Sequence, residues 1–241
     1  MTLIVHHLNN SRSQRVLWLL EELGVDYEIK HYKRGPDMLA PKELKQAHPL
    51  GKSPFITDTD LSGKEITLAE SGAIVDFIIE KYGKGAAVPV STEDKLENNM
   101  WSHFAEGSLM PTMVMKLIFS TVPTQAPFLV RPIVSIICGQ VCGRLVDPDI
   151  KSKLTYVSQA LSKRGDPATS DKEIWFAGGD KDGNPTSADY QLMFPLEASI
   201  VGGRAANAPA NLKAYVEKAQ RRPAYQRALA KGGEYAYAAK L

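Results

Sequence analysis

Short apolar runs rich in β-branched residues alternate with amphipathic stretches over the first third of the chain, and amphipathic stretches alone follow. Leu3-Ile4-Val5-His6-His7 predicts a buried strand. Past the polar loop Leu8-Asn9-Asn10-Ser11-Arg12-Ser13, the residues Val16, Leu17, Leu19, Leu20 and Leu23 recur at helical spacing, and Gly24 supplies the stop. Tyr27 to Tyr32 reads as a strand, which completes a strand, helix, strand unit with a right-handed crossover. A short helical piece, Pro41 to Ala47, precedes two more strands, Pro54 to Thr57 and Glu65 to Leu68, that turn at Leu61-Ser62-Gly63. A helix starting near Ser71 then carries Ile74, Val75, Ile78, Ile79 and Tyr82 on its apolar side.

That order, βαβ and then ββα, predicts a thioredoxin-like α/β domain over residues 1–83. Gly83-Lys84-Gly85 breaks the pattern, and residues 84–90 read as a linker. Residues 91–241 show helical periodicity only: about Glu93 to Thr121, Phe128 to Leu145, Pro148 to Ser162, Ser187 to Val201 and Pro209 to Gln220. The second domain is therefore expected to be all α. Thr186-Ser187-Ala188-Asp189 has the form of a capping box, in which a hydroxyl and a carboxylate satisfy the free N–H groups of a first helical turn. Gly178 to Pro185 is a turn-rich loop, and the tail after Gly232-Gly233 has no regular pattern.

Composition narrows the function classes. With 29 Lys and Arg against 27 Asp and Glu, a formal net charge of +2 gives no basic stripe for nucleic acid. The two cysteines, Cys138 and Cys142, sit one helical turn apart in an apolar stretch, which excludes a disulfide framework and suits a reducing compartment. Metal ligands at matching spacing are missing, so no metal site is expected. The start of the chain lacks the layout of a signal peptide, and Phe128 to Cys142 falls short of the ~18–20 residues that span a bilayer. A cytoplasmic protein without a membrane span is expected. Ala239-Lys240-Leu241 is a variant of the Ser-Lys-Leu peroxisomal address and makes the peroxisome the minority expectation.

The chemistry concentrates between Pro49 and Gly72. Pro54 opens an apolar run without an N–H to give a ladder, so it belongs at a strand start, and a cis Ser53-Pro54 bond would turn the polar backbone of Ser53 toward a ligand. Glu70-Ser71 opens a helix, where free N–H groups seat a carboxylate and Glu70 suits an ammonium. A ligand with a peptide bond, an amino group and a carboxylate satisfies all of these together.

In order and spacing, the runs His7 to Arg15 with Leu17-Trp18-Leu19-Leu20, His48 to Pro54, Leu68 to Gly72 and Glu106 to Leu109 resemble the soluble glutathione transferases, in a fungal and bacterial branch that uses serine. The resemblance covers nearly all of the chain. It implies that Pro54 is the cis-proline, that Ser53 holds the cysteinyl part of glutathione through its backbone, and that Glu70 and Ser71 receive the γ-glutamyl end. Lys52 matches a position near the tripeptide's carboxylates. Met38, Leu39 and Ala40 stand where some branches carry a further basic contact, for which Lys42 is the substitute. Family members pair the α/β half of one chain with the helical half of another, so a homodimer is implied.

Glutathione, as co-substrate, must attack as a thiolate, yet a thiol of pKa ~8.5 is only a few per cent ionised at pH 7. Lowering that pKa by ~2 units takes ~2.7 kcal/mol. A hydroxyl donating to sulfur gives ~1.5–3 kcal/mol and a helix N-terminus ~0.3–1. The resemblance puts Ser11 in that role, with Asn10 and Ser13 as alternatives and Arg15 as a structural companion; Ser13 also reads as a helix cap. The absent loop cysteine argues against chemistry through a protein thiol. His103, Ser108, Met110, Met113 and Phe119 on the long helix are expected to face the electrophile, and Trp101 to fill the core. The expected activity is conjugation of glutathione to hydrophobic electrophiles, with reduction of organic hydroperoxides as a side reaction; the alternative is a non-catalytic protein that binds glutathione or a hydrophobic ligand.

Overall fold

The computed structural model describes residues 2–238. The Ala239-Lys240-Leu241 motif lies outside the described residues. Four strands, β1 (Ile4–Leu8), β2 (Glu28–Tyr32), β3 (Phe55–Thr59) and β4 (Glu65–Ala69), form one sheet in the order β2-β1-β3-β4. β1 runs parallel to β2 and antiparallel to β3, and β3 is antiparallel to β4. The parallel pair requires a crossover, supplied by α1 (Gln14–Leu23). That helix is buried from Gln14 to Glu21 because it is covered on both sides, by the sheet and by the helices that follow. Gly24 ends it in the left-handed conformation at φ 63°, its N–H bonded to Leu20 O. α2 (Lys42–Ala47) and α3 (Ser71–Tyr82) complete the α/β part.

The rest of the described chain is helical. α4 (Thr92–Phe104) continues through a π-helical turn, Ala105–Leu109, into α5 (Met110–Gln125). α6 (Arg131–Val141) passes through a second π turn, Cys142–Val146, into α7 (Asp147–Arg164). Cys138 and Cys142 are free and buried there. α8 (Ser187–Ile200) is buried from Ser187 to Ser199 and is the hub of the fold. α9 (Ala210–Arg221) and α10 (Pro223–Gly232) close the bundle. The core is continuous across both halves, from Leu17, Trp18, Ile74 and Ile78 to Trp101, Phe176, Tyr190 and Tyr225. Trp101 is thus a core residue, as its sequence context suggests. Among the described residues no helix is long and apolar enough to cross a membrane.

Three features depart from the sequence reading. The single long helix expected from Glu93 to Thr121 is interrupted by the π turn, whose extra residue offsets the helix faces on either side. The helix expected from Phe128 to Leu145 starts at Arg131 and runs into the second π turn at Cys142. α10 is absent from the sequence reading; it opens on Pro223, whose missing N–H at the first position of a helix is one that no helix satisfies. After Gly233, Tyr235 donates to buried Glu197 at 2.5 Å and Ala236 N–H donates to Asn10 Oδ1 at 2.6 Å. Glu197 further accepts from Tyr225 and from Gln220 Nε2. Burial pushes its carboxyl up to about 7 against the lowering effect of these donors and of Arg15. Since the folded pKa lies above the unfolded 4.5, the stability linked to that proton is complete below about 4.5 and is lost as pH rises through about 7.

The capping box at α8 exceeds a cap. Asp189 accepts from Thr186 N–H at 2.9 Å, Thr186 Oγ1 at 3.0 Å, Phe176 N–H at 3.0 Å and Tyr215 Oη at 2.9 Å, all buried. Removing a lone cap costs ~0.5–2 kcal/mol, but orphaning several buried donors costs more. Asp189→Ala is expected to destabilise the protein by about 3 kcal/mol or more in urea unfolding; a loss inside the ordinary cap range would mean that the Phe176 and Tyr215 bonds contribute little.

Candidate functional site

The loop between β1 and α1 is built from hydroxyls over a buried histidine. Ser11 Oγ lies 2.7 Å from Ser13 Oγ and accepts from Ser13 N–H at 3.3 Å. Ser13 Oγ lies 2.8 Å from His7 Nδ1. His7 also hydrogen-bonds the backbone of Gly232, which makes that side of the ring the donor and leaves Nδ1 as the acceptor. The proton direction follows: Ser11 donates to Ser13, and Ser13 donates to His7. Burial, aided by His31, lowers the His7 pKa to about 4, so the ring is neutral at physiological pH. Asn10 holds a positive φ of 53°, which asparagine tolerates better than most residues. With Oδ1 accepting from Ala236, its amide Nδ2–H group is the end left to donate.

Two adjoining cavities open at this loop. The first, of about 290 Å³, is lined by Asn10 and Ser11 at its head and by Met110, Val114, Leu117 and Phe194 along one wall. The second, of about 220 Å³, is lined by Pro54, Glu70, Ser71, His48 and Glu106, among others. Arg12, Lys52 and Ser53 belong to both. The Ser53-Pro54 peptide is cis. Ser53 Oγ donates to His6 O at 2.8 Å and accepts from Leu8 N–H at 3.1 Å, so a side chain ties the loop to β1 just before β3 begins. Glu70 sits at φ 73° ahead of α3, a sparsely populated conformation that costs of order 1–3 kcal/mol and is held by its surroundings.

Behind Ser71 the two halves of the protein are pinned by a buried guanidinium. Arg15 Nη1 donates to Ser71 Oγ at 3.2 Å and to Gln191 Oε1, and pairs with Glu106 Oε1 at 2.8 Å. Gln191 Nε2 donates to Ser71 O at 3.0 Å. Glu106 also takes Arg12 Nε at 3.0 Å, and the Arg12 and Arg15 guanidinium carbons lie 5.8 and 5.6 Å from the centre of the Phe194 ring.

Comparison with known proteins places this arrangement. The sequence model of the Glutathione S-transferase, N-terminal domain, matches residues 1–80. Glutathione S-transferase 3 of Schizosaccharomyces pombe is 32% identical over 225 residues, which are 92% of this chain and 84% of that protein. The chain belongs to the glutathione S-transferase family. A glutathione S-transferase from Actinobacillus pleuropneumoniae has the same fold at TM-score 0.70 and 25% identity, over 100% of this chain and 97% of that one. A glutathione transferase homolog from Lodderomyces elongisporus, solved with two GSH per subunit, also superposes at TM-score 0.70, with 16% identity over 95% of this chain and 98% of that one.

Within this family member, the sequence-derived candidates divide. Ser11, Asn10, Lys52, Ser53, Pro54, Glu70, Ser71 and Met110 all line the paired cavities. Ser13 lines neither; it is fully buried behind Ser11. Lys42 is exposed at the start of α2 and also lines neither, whereas Arg34, in the loop after β2, reaches the first cavity beside Ala40. On the helical side, Met113 is fully buried in the core, Phe119 packs against that core, and Ser108 lies in the π turn. His103 is exposed on α4, near Asp76. The π turn is the reason: residues 103 and 110 share a face in an unbroken helix but not across the inserted residue, while 110, 114 and 117 keep regular spacing beyond it. Phe194, Arg204 and Tyr237 are brought in by tertiary packing from α8, the segment after it and the tail.

The neutral His7 carries a stability signature. Its folded pKa of about 4 lies below the unfolded 6.5, so the linked stability is present above about 6.5 and is lost as pH falls toward 4, a span worth roughly 3 kcal/mol. His7→Gln is expected to flatten that part of the fall when urea unfolding is compared at pH 7 and at pH 4.5. A slope as steep as in the wild type would place the acid sensitivity elsewhere.

Proposed function

We propose that the protein is a glutathione transferase of the serine-using type, and that glutathione lies along the second cavity with its thiol at Ser11. The single observation that carries this reading is the junction of the two cavities at Ser53, Lys52 and Arg12, with Ser11 and Asn10 at the head of the first. The γ-glutamyl carboxylate meets the N–H groups that open α3 at Ser71, and its ammonium meets Glu70. The cysteinyl main chain runs beside Ser53. Lys52 and Arg34 hold the glycyl carboxylate, with Arg34 in the place of the further basic contact for which the resemblance offered Lys42. On this reading residues 1–83 hold glutathione, residues 91–241 complete the acceptor site, residues 84–90 join them, and the protein works as a homodimer.

Thiolate formation draws on several modest terms. Ser11 must turn its proton from Ser13 to sulfur, exchanging a neutral bond of ~0.5–1.5 kcal/mol for one to an anion of ~1.5–3. The net gain is about 1 kcal/mol. The N-terminus of α1 adds ~0.3–1, and the remainder of the ~2.7 kcal/mol needed for a two-unit shift falls to Asn10 Nδ2 and the cationic lining. The thiolate then gives its electron pair to an electrophilic carbon in the first cavity, and the leaving group departs with the electrons of the broken bond. Attack on a peroxide oxygen by the same thiolate is the side reaction, completed by a second glutathione thiol.

Ultraviolet difference absorbance of bound glutathione, titrated from acid to alkaline pH, tests the proposal. The bound thiol is expected to ionise ~1–2 units below the ~8.5 of an ordinary thiol, and Ser11→Ala to raise it by about 1 unit with a roughly tenfold loss of kcat/KM. An equally low value in the variant would move the role to Asn10 and the helix terminus. Bound glutathione with an unshifted thiol, and no conjugation of any electrophile class, would favour a non-catalytic binding protein.

A further inference from the structure

The first cavity has an uneven charge. Among the described residues Arg12, Arg34, Lys52 and Arg204 line it, and no carboxylate does. Arg12 is neutralised by Glu106 at 3.0 Å, and Lys52 and Arg34 stand on the α/β side, where the proposed function gives them the glycyl carboxylate. Arg204 remains, contributed by the segment that follows α8. It is half-buried and has no carboxylate partner among the described residues; its hydrogen-bond partner is Tyr237 Oη at 2.6 Å, with the guanidinium carbon 5.7 Å from the centre of the Tyr237 ring. Because Tyr237 Oη accepts from Arg204, its own phenolic proton is free to donate. The pair therefore offers a guanidinium fork and an O–H to one incoming anion, beside the apolar wall of Met110, Val114, Leu117 and Phe194.

We infer that Arg204 and Tyr237 form an anion subsite that selects acceptors with an aromatic or unsaturated body and a carboxylate. The inference rests on the reading of this cavity as the acceptor site. A cavity of about 290 Å³ suits a single-ring body. A neutral acceptor leaves Arg204 partly desolvated without a counter-charge, whereas a carboxylate supplies one and fixes one end of the acceptor, orienting its electrophilic carbon. Specificity of this kind needs a polar group whose partner is missing in the wrong ligand.

A matched pair of ligands tests it. Unreactive 3,5-dinitrobenzoate and 3,5-dinitrobenzamide are titrated calorimetrically into the full chain saturated with S-methylglutathione. The acid is expected to bind about tenfold or more tightly than the amide, the margin of a charge-assisted contact. Arg204→Met is expected to bring the ratio near one, Arg204→Lys to restore part of it, and Tyr237→Phe, which removes only the hydroxyl, to lower it about threefold. Equal affinities in the wild type, or an undiminished ratio in both Arg204→Met and Tyr237→Phe, would overturn the subsite. One equivalent of S-methylglutathione per chain supports an acid acceptor; a second equivalent that disappears in Arg204→Met would assign the arginine to a second tripeptide instead and overturn the proposal. In parallel, 4-chloro-3,5-dinitrobenzamide is offered with glutathione, where sulfur bonds to the ring carbon and chloride leaves. No turnover there, with the affinity ratio intact, would remove the transferase reading while leaving the anion subsite standing.

Discussion

A charged guanidinium fully buried between the two halves of the protein is the constraint on which the rest depends. Burial lowers the Arg15 pKa while Glu106 raises it, and an arginine remains charged under any such balance. Several kcal/mol of desolvation must be offset by partners that stay in position. Those partners are Ser71 at the start of α3, Glu106 in the π turn and Gln191 on α8, with the Phe194 face alongside. Ser71 and Glu106 line the second cavity and Phe194 lines the first. The electrostatic need of one interior residue thus ties together the walls of the two cavities.

The loop between β1 and α1 follows a different logic. His7 accepts a proton in a hydrogen bond without taking it over, because its ring is held neutral in the interior. It orders the hydroxyls without becoming a base. The positive charge beside the loop comes instead from Arg12, Arg34, Lys52 and Arg204 in the lining of the first cavity, while Ser11, Ser13 and His7 are buried. Separating orientation from charge in this way lets the loop stay rigid in the free protein.

What could be read from the sequence was whatever is local along the chain. The βαβ and ββα order, the stop at Gly24, the box at Thr186 and Asp189, and the pairing of Pro54 with Glu70-Ser71 depend on contacts within a few residues or within one sheet. Ser11 could be singled out because its loop follows a recognisable strand and opens a recognisable helix. The helical lining of the first cavity was read only in part, for two physical reasons. A π turn has no composition signal, so Met110 was expected and is present there, whereas Val114 and Leu117 were not expected and His103, Ser108 and Met113 do not line the cavity. Arg34, Arg204 and Tyr237 reach the cavity through packing across the whole fold, and nothing in their neighbourhoods announces it.

The hydrogen bond from Ala236 to Asn10 joins residues 226 positions apart. The orientation of one asparagine and part of the lining of the first cavity therefore depend on a segment at the far side of the sequence, since Ala236 holds the Asn10 amide and Tyr237 stands in the cavity wall. A cut ahead of Ala236 would free that amide and open that wall without touching the strand or the helix on either side of the loop.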